Sequence, residues 1–414
     1  MSDPLVRPFA GLRPVPERAA EVAAPPYDVL NADEARALAT TNPWSFLHIS
    51  KPEIDLPPET DPYSDAVYAR GAENLACMVD EGILTRDPAP RYYVYRLVMG
   101  AHVQTGIVGA GSIAAYQANR IRRHEFTTPL KENDRVRQID ALNAQTGPVM
   151  VTHRRDAALT VVIDRVTARP PAYAVTGKGG VDHTFWVVDG TDEIDAVSTA
   201  FDAMHAIYIA DGHHRSAAAA RVAAARRTAD PTPRGDKAYD YFLIVSFPDD
   251  EMQILDYNRV VTDLNGLRVD EFLDRVRDVF TVSDSTGAAK PDRVRSFGMY
   301  VDGRWHRLQP KAPTPTDDPV AALDISLLGE RLLYPVLGIG DPRTEKRIDF
   351  VGGIHGMAEL ERRVNSGEMA VAFALYPTSL TDLMAVADAG TVMPPKSTWF
   401  EPKLADGLVS LVLD

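Results

Sequence analysis

The chain has 414 residues, 45% of them hydrophobic and 25% charged, enough for two domains or one large core with additions. Its formal net charge of −14 repels a phosphate backbone, and the basic residues are scattered, so no nucleic-acid partner is expected. The lone cysteine, Cys77, excludes an intramolecular disulfide and a multi-cysteine zinc site.

The N-terminus, Met1-Ser2-Asp3-Pro4, lacks the basic-then-apolar pattern of a signal peptide, and no apolar run reaches a bilayer's width. A cytoplasmic protein with no membrane partner is expected. Prolines 4, 8, 14, 16, 25 and 26 make the first thirty residues extended chain and turns, with one short strand at most. Asn31 then caps a helix that Pro43 stops, and residues 52–62 read as a surface loop. Residues 63–81 form a longer amphipathic helix, in which Cys77 reads as a buried, inert thiol.

Residues 92–99 and 104–115 read as two strands joined by a tight turn at Gly100-Ala101. After a charged segment, 132–145 shows helical spacing at Val136, Ile139 and Leu142. Short strands are expected at 148–152, 159–163, 172–176 and 184–189, and a helix at 192–204. Residues 206–210 form an apolar strand running into Asp211–Arg215, and 217–227 an alanine-rich helix. A loop over 230–240 and a buried strand over 241–247 follow. The character shifts near 264–267. Beyond lie helices at 269–279, 321–333 and 379–387, strands at 296–301 and 371–375, a loop over 390–403 and a terminal strand at 408–413. Strands and helices mix without a strict βαβ rhythm, so the expected class is α+β with a mixed sheet core. The expected division is 1–265, a phosphate-binding core with inserted strands, and 266–414, a C-terminal α+β region completing the site.

The sharpest chemical signal is Asp211-Gly212-His213-His214-Arg215. A strand, a glycine and a helix in that order present backbone N–H groups and a favourable dipole to an anion. Gly212 allows close approach, Arg215 offers a planar fork for phosphate oxygens, and His213 and His214 add donors that titrate near neutral pH. Asp211 has three open readings: helix cap, histidine orienter or metal ligand. Adjacent histidines point about 100° apart on a helix, which suits joint chelation poorly. An ordinary polar helix start also remains open.

A second cluster is Lys396-Ser397-Thr398, behind the stiff pair Pro394-Pro395; it lacks the glycines of a P-loop. Tyr27 and Asp28, after Pro25-Pro26, offer a hydroxyl and a carboxylate to a substrate, and a packed structural turn is an equal reading. Lys131 and Arg135 lie within reach of a donor phosphate, and His48 is a weaker candidate. Gly109-Ala110-Gly111 is not a dinucleotide fingerprint, because the third glycine and following helix are missing.

Ile209–Arg215 resembles the phosphate loop of the free serine kinases, in the ParB/sulfiredoxin-like superfamily. Those kinases carry an upstream His-Glu pair before a helix rich in Glu and Arg, matched here by His124-Glu125 with Glu132, Asp134 and Arg135. The separation of the two motifs, about 85 residues, implies inserted strands. Over its whole length the chain resembles a large bacterial and archaeal domain of unknown function. The residues that carry this are 7–13, 25–29, Arg123-His124-Glu125, 211–215 and 393–398.

The kinase resemblance implies ParB/sulfiredoxin-like elements in the core and a phosphotransferase acting on a small hydroxyl compound, free serine first. It makes Glu125, with His124 and Asp211, the catalytic group, Glu125 being the general base. Gly212, His213, His214, Arg215, Arg123, Lys131, Lys396, Ser397 and Thr398 would hold the phosphates. ATP, ADP or pyrophosphate would be the donor, with Mg²⁺, and Asp211 a candidate ligand of that ion. Two alternatives stay open: a phosphatase acting on an ester such as phosphoserine, and a non-catalytic nucleotide-binding switch. The oligomeric state is not readable.

Overall fold

The aromatic and β-branched run Tyr92-Tyr93-Val94-Tyr95, buried throughout, and the turn at Gly100, with φ of +60°, set up the hairpin on which the first sheet is built. In the computed structural model, residues 4–177, 179–232, 235–312 and 316–414 are described. This leaves out Met1–Asp3 of the N-terminal reading and 233–234 of the loop expected over 230–240. The chain divides into two compact units: residues 1–123, 127–252 and 402–414, and residues 124–126 with 253–401. The division at 265/266 read from the sequence falls inside the second.

In the first unit the strands are β1 (Val6–Arg7), β2 (Leu12–Pro14), β3 (Leu84–Arg86), β4 (Tyr92–Met99), β5 (His102–Ser112) and β6 (Ile121–Arg122). They continue with β7 (Ala144–Gln145), β8 (Val149–His153), β9 (Tyr173–Thr176), β10 (Val181–Val188), β11 (Ile207–Asp211) and β12 (Tyr241–Pro248). Its helices of eight residues or more are α1 (Ala32–Ala39), α2 (Asp65–Asp80), α3 (Pro129–Leu142), α4 (Ala157–Thr167), α5 (Thr191–Ala203) and α6 (His213–Ala229).

A nine-stranded sheet runs β6-β11-β8-β12-β5-β4-β10-β9, with β1 also on β5. β6/β11 and β8/β12 are parallel and the other pairs antiparallel, so the sheet is mixed and the class α+β. Phe185, Phe201, Phe242 and Phe247 are buried in this unit. Each such ring contributes about 1.5–3 kcal/mol over exposure. Gly109 admits β1: a Cβ there would sit 2.6 Å from Val6 Cγ1. Gly111, where a Cβ would sit 3.1 Å from Ile244 Cγ2, is likewise a close-packed position.

Local signals explain most elements. Asn31 and Glu34 form a reciprocal capping box on α1. α3 starts earlier than its apolar spacing indicated, with Pro129 in the first turn, and ends at Asn143 in the left-handed conformation, φ +49°. Residues 159–163 are helical, not a strand. Asp156 caps α4 by accepting from the N–H groups of Ala158 and Leu159, and Leu159, Val162, Ile163 and Val166 share its buried face. The β-branched run Thr160-Val161-Val162-Ile163 imitates a strand, and packing overrides that propensity. Cys77 is exposed, not buried, on the outer face of α2. The first thirty residues hold two short strands and helical turns, more structure than their prolines suggested.

The second unit carries β13 (Gln253–Leu255), β14 (Tyr257–Val261), β15 (Phe280–Ser285), β16 (Phe297–Val301), β17 (Arg304–Pro310), β18 (Ile348–Gly352), β19 (Val371–Ala374) and β20 (Trp399–Glu401). Its longer helices are α7 (Val269–Val279), α8 (Gly356–Asn365) and α9 (Leu380–Asp388). An antiparallel sheet runs β15-β17-β16-β19-β14-β18 over a core that includes Phe272, Phe280, Phe297 and Phe373. The helix expected over 321–333 is an α-helix at Asp324–Leu328 that widens into a π-type turn over Gly329–Leu333. Residues 402–414 return to the first unit, where β21 (Leu411–Val412) pairs with β7. Among the described residues no helix is long and apolar enough to cross a membrane.

Candidate functional site

The strand-to-helix turn at Asp211 is built around one glycine. β11 ends in a register shift against β8 between Ile209 and Asp211, which turns the Asp211 side chain out of the regular ladder. Gly212 follows with φ +98°, and α6 begins at His213. A Cβ on Gly212 would lie 3.1 Å from Arg215 Nε and 3.3 Å from the Val149 Cα. The positive φ therefore favours glycine, and the space for a Cβ is tight. Gly212, not Asp211, is the N-cap, and no side chain caps this helix. The cap reading of Asp211 gives way because that carboxylate is engaged elsewhere. It accepts from Lys403 Nζ at 3.3 Å and lies 3.7 Å from Arg215. Burial works to raise the Asp211 carboxyl, but Lys403 and Arg215 outweigh it and hold the group well below the usual carboxylate range.

Arg215 points inward. It is 8% exposed, and it donates to the Pro148 carbonyl. Nη1 makes that bond, while Nη2 lies 3.9 Å from Asp28 and 3.7 Å from Asp211. Burial opposes its charge, but these two carboxylates outweigh burial and raise its pKa. The fork read as a phosphate ligand thus organises two carboxylates. Arg215, Ser50 and Asp406 line a cavity of about 30 Å³. Arg215 Nε, Ser50 Oγ and Asp406 Oδ1 are buried without hydrogen-bond partners among the described residues. A polar volume of this size suits one water molecule. Burial lifts the Asp406 carboxyl to about 7, against the pull of Arg215.

A larger cavity, about 540 Å³, opens in the same unit. Tyr27, Asp28, Lys131 and His214 all line it, although they are scattered between residues 27 and 214. Its size is that of a small-molecule site, roughly 300–1,000 Å³. Most of its charges are internally matched: Arg36 with Asp33 at 3.2 Å, Lys51 with Glu53 at 2.9 Å, and Arg135 with Asp134 at 2.7 Å. Among the described residues, Lys131 is the lining lysine or arginine without an ion-pair partner. It is exposed at the start of α3. Arg135 stacks over the Tyr27 ring at 3.9 Å, and burial pushes the Tyr27 hydroxyl up to about 12, so it stays a neutral phenol. His214, in the first turn of α6, accepts at Nε2 from the Thr128 backbone N–H at 3.1 Å. His213 is buried. Arg123 is exposed and rests on Tyr116, its NH1 3.5 Å from the hydroxyl.

The second unit holds the remaining candidates. His124 is buried; its carbonyl accepts from the Met393 N–H at 2.8 Å, and its Nε2 is 3.5 Å from Thr398 Oγ1. Two motifs from far-apart stretches of sequence therefore meet. Glu125 is half-buried. Lys396 adopts φ +59°, and Ser397 Oγ donates to the Pro394 carbonyl at 2.6 Å. His48 is structural: its ring nitrogens engage Asp55 at 2.7 Å and the Asn42 carbonyl at 3.1 Å. Among the described residues no three His, Cys, Asp or Glu side chains are grouped to hold a metal ion. Asp406 escaped the sequence reading. Its only signal is a carboxylate amid Leu404, Ala405 and Leu408, where a buried charge needs a reason.

Fold and turn together define an α+β protein with a strand-glycine-helix junction beside a cavity of about 540 Å³. The chain belongs to the family described as Protein of unknown function (DUF1015), whose model matches residues 6–326. No curated protein matches it in sequence. Similar solved structures include a free serine kinase in complex with AMP, 12% identical over 71% of this chain and 86% of that chain, TM-score 0.36. SbnI from Staphylococcus aureus, with a C-terminal truncation, is 10% identical over 72% and 85%, TM-score 0.39. A conserved hypothetical protein from Pyrococcus furiosus is 12% identical over 73% and 93%, TM-score 0.34. Likeness this distant says nothing of the chemistry.

Proposed function

We propose that the 540 Å³ cavity binds a phosphate-bearing nucleotide or pyrophosphate and that the protein is a small-molecule phosphotransferase, free serine being the first acceptor to test. The observation that carries this reading is the convergence of Tyr27, Asp28, Lys131 and His214 on one cavity, with Lys131 lacking an ion-pair partner among the described residues. Lys131 supplies the charge for a phosphate, and the α6 N-terminus adds its dipole. Tyr63, Tyr68, Pro57 and Pro58 give apolar walls suited to a flat base. Arg215 acts indirectly by holding Asp28 and Asp211 in place.

In the reaction an acceptor hydroxyl oxygen bonds to phosphorus as the bond to the donor's bridging oxygen breaks, and the hydroxyl proton passes to a carboxylate. Asp28 is the carboxylate that lines the cavity and would take that proton; the kinase resemblance alone gives the role to Glu125, a residue of the second unit. Mg²⁺ needs only one or two carboxylates beside phosphate oxygens; Asp211 is held by Lys403 and Arg215, and Asp28 would supply one where it is not itself the base. Such an ion would neutralise charge on the transferred group. The roles of His124, Lys396, Ser397 and Thr398, which lie in the second unit, rest on the resemblance alone.

Calorimetry with ATP, ADP and pyrophosphate tests the binding. Lys131→Ala should weaken at least one of them tenfold or more, about 1.4 kcal/mol, with the fold intact. No binding of any of the three overturns the reading. Binding without transfer to serine or release of phosphate from phosphoserine makes the protein a nucleotide-binding switch. Release without transfer makes it a phosphatase.

A further inference from the structure

The second unit has its own cavity, about 200 Å³, and a buried cation on its wall. Arg259 lies on β14, the strand between β19 and β18, and is 2% exposed. Its guanidinium donates to the carbonyls of Tyr257, Pro395 and Lys396, the last at 2.8 Å. The rings of Phe350 and Tyr257 lie 5.1 and 5.8 Å from it. Among the described residues no carboxylate lies within ion-pair distance of Arg259. A buried charge matched only by neutral carbonyls and ring faces is costly unless something pairs with it.

The other charges on this wall are already used. Asp324 accepts from the Arg295 backbone N–H at 2.9 Å and from its guanidinium at 3.2 Å. Asp382 accepts from the Ser379 hydroxyl at 2.7 Å and completes the capping box that Ser379 begins on α9. The wall therefore carries two arginines and two aspartates; Arg295 and Asp324 pair, while among the described residues Arg259 has no ion-pair partner and Asp382 is held by Ser379 alone. The loop that closes over it is held in shape. Thr378 Oγ1 donates to the Ser397 carbonyl at 2.8 Å, and Lys396 takes its left-handed conformation where its carbonyl reaches Arg259.

We propose that this cavity is a separate binding site for a small oxyanion, one phosphate or carboxylate group, with Arg259 as its counter-charge. The volume is below the roughly 300–1,000 Å³ of sites for larger ligands, so the site takes a few-atom anion and not a nucleotide. Burial also pushes the Arg259 guanidinium down to about 9, which a bound anion would reverse.

The test uses the full chain with Lys131→Ala, which removes the free lysine of the first cavity. Isothermal titration with inorganic phosphate, and separately with acetate, tells a phosphate site from a carboxylate site. One of the two ions should still bind, and adding Arg259→Gln should weaken it at least tenfold. Ala322→Trp, which fills the cavity without touching Arg259, should do the same and serves if the arginine variant fails to fold. Unchanged affinity in the folded variants overturns the proposal, as does failure of both ions to bind at millimolar concentration. Loss of ATP, ADP or pyrophosphate binding in Lys131→Ala alone concerns the first cavity and leaves this result independent.

Discussion

The backbone N–H of Thr128 donates to Nε2 of His214 at 3.1 Å, so a side chain in the first turn of α6 serves the start of α3. For Nε2 to accept, its proton must be absent. His214→Ala should lose about 1 kcal/mol of stability and speed amide exchange at Thr128. His214→Gln, which offers a carbonyl acceptor, should recover much of both. Equal exchange in wild type and His214→Ala would show the bond to be unimportant.

Gly212→Ala should cost about 1–3 kcal/mol, because the left-handed conformation and the contact with Arg215 penalise it together. The expected readout is a lowered thermal midpoint with weaker pyrophosphate binding. A variant as stable as wild type would mean that the turn can relax.

Asp406 predicts a pH effect. Burial lifts its carboxyl to about 7, while an unfolded Asp titrates near about 3.9. Between those values the folded state holds the proton more tightly. The stability this group contributes is complete below about pH 4 and is lost as pH rises through about 7. Asp406→Asn removes that slope. Its thermal midpoint should gain on wild type from pH 4 to 7, then keep a constant offset. Parallel midpoint curves across the range would show an ordinary carboxyl.

Glu125→Gln and Asp28→Asn separate the two candidate bases. The variant that removes the base should lower transfer to serine by roughly a hundredfold or more while leaving donor affinity near wild type. Collapse of donor affinity along with turnover would make that residue a binding or metal-holding group. If both variants keep full turnover, neither carboxylate takes the proton.

Much of the fold could be read locally. The Asn31 cap, the Gly100 turn and the strand before Gly212 each carry a signal within a few residues. Thr160–Ile163 misled because β-branched residues favour strands in isolation, while the Asp156 cap and the burial of Val162 and Val166 decide for helix. The site was legible in residue types and opaque in partners. Tyr27, Asp28, Lys131 and His214 stood out one by one, and only tertiary structure puts them on one cavity. Arg215 looked like a ligand-facing fork because sequence does not reveal the Pro148 carbonyl or the carboxylates of Asp28 and Asp211. Asp406 and Arg259 were missed because burial is what makes each of them unusual.

The return of residues 402–414 to the first unit sets an order on biosynthesis. Backbone bridges join Leu12 to Ser410 and Ala24 to Asp406, and Lys403 reaches Asp211. None of these contacts can form until 253–401 has been translated. On a ribosome the first unit must wait, with the edges at Leu12 and Ala24 uncovered, while the second unit emerges and can fold ahead of it. The Asp211 turn is thus finished last, although most of its residues are made midway.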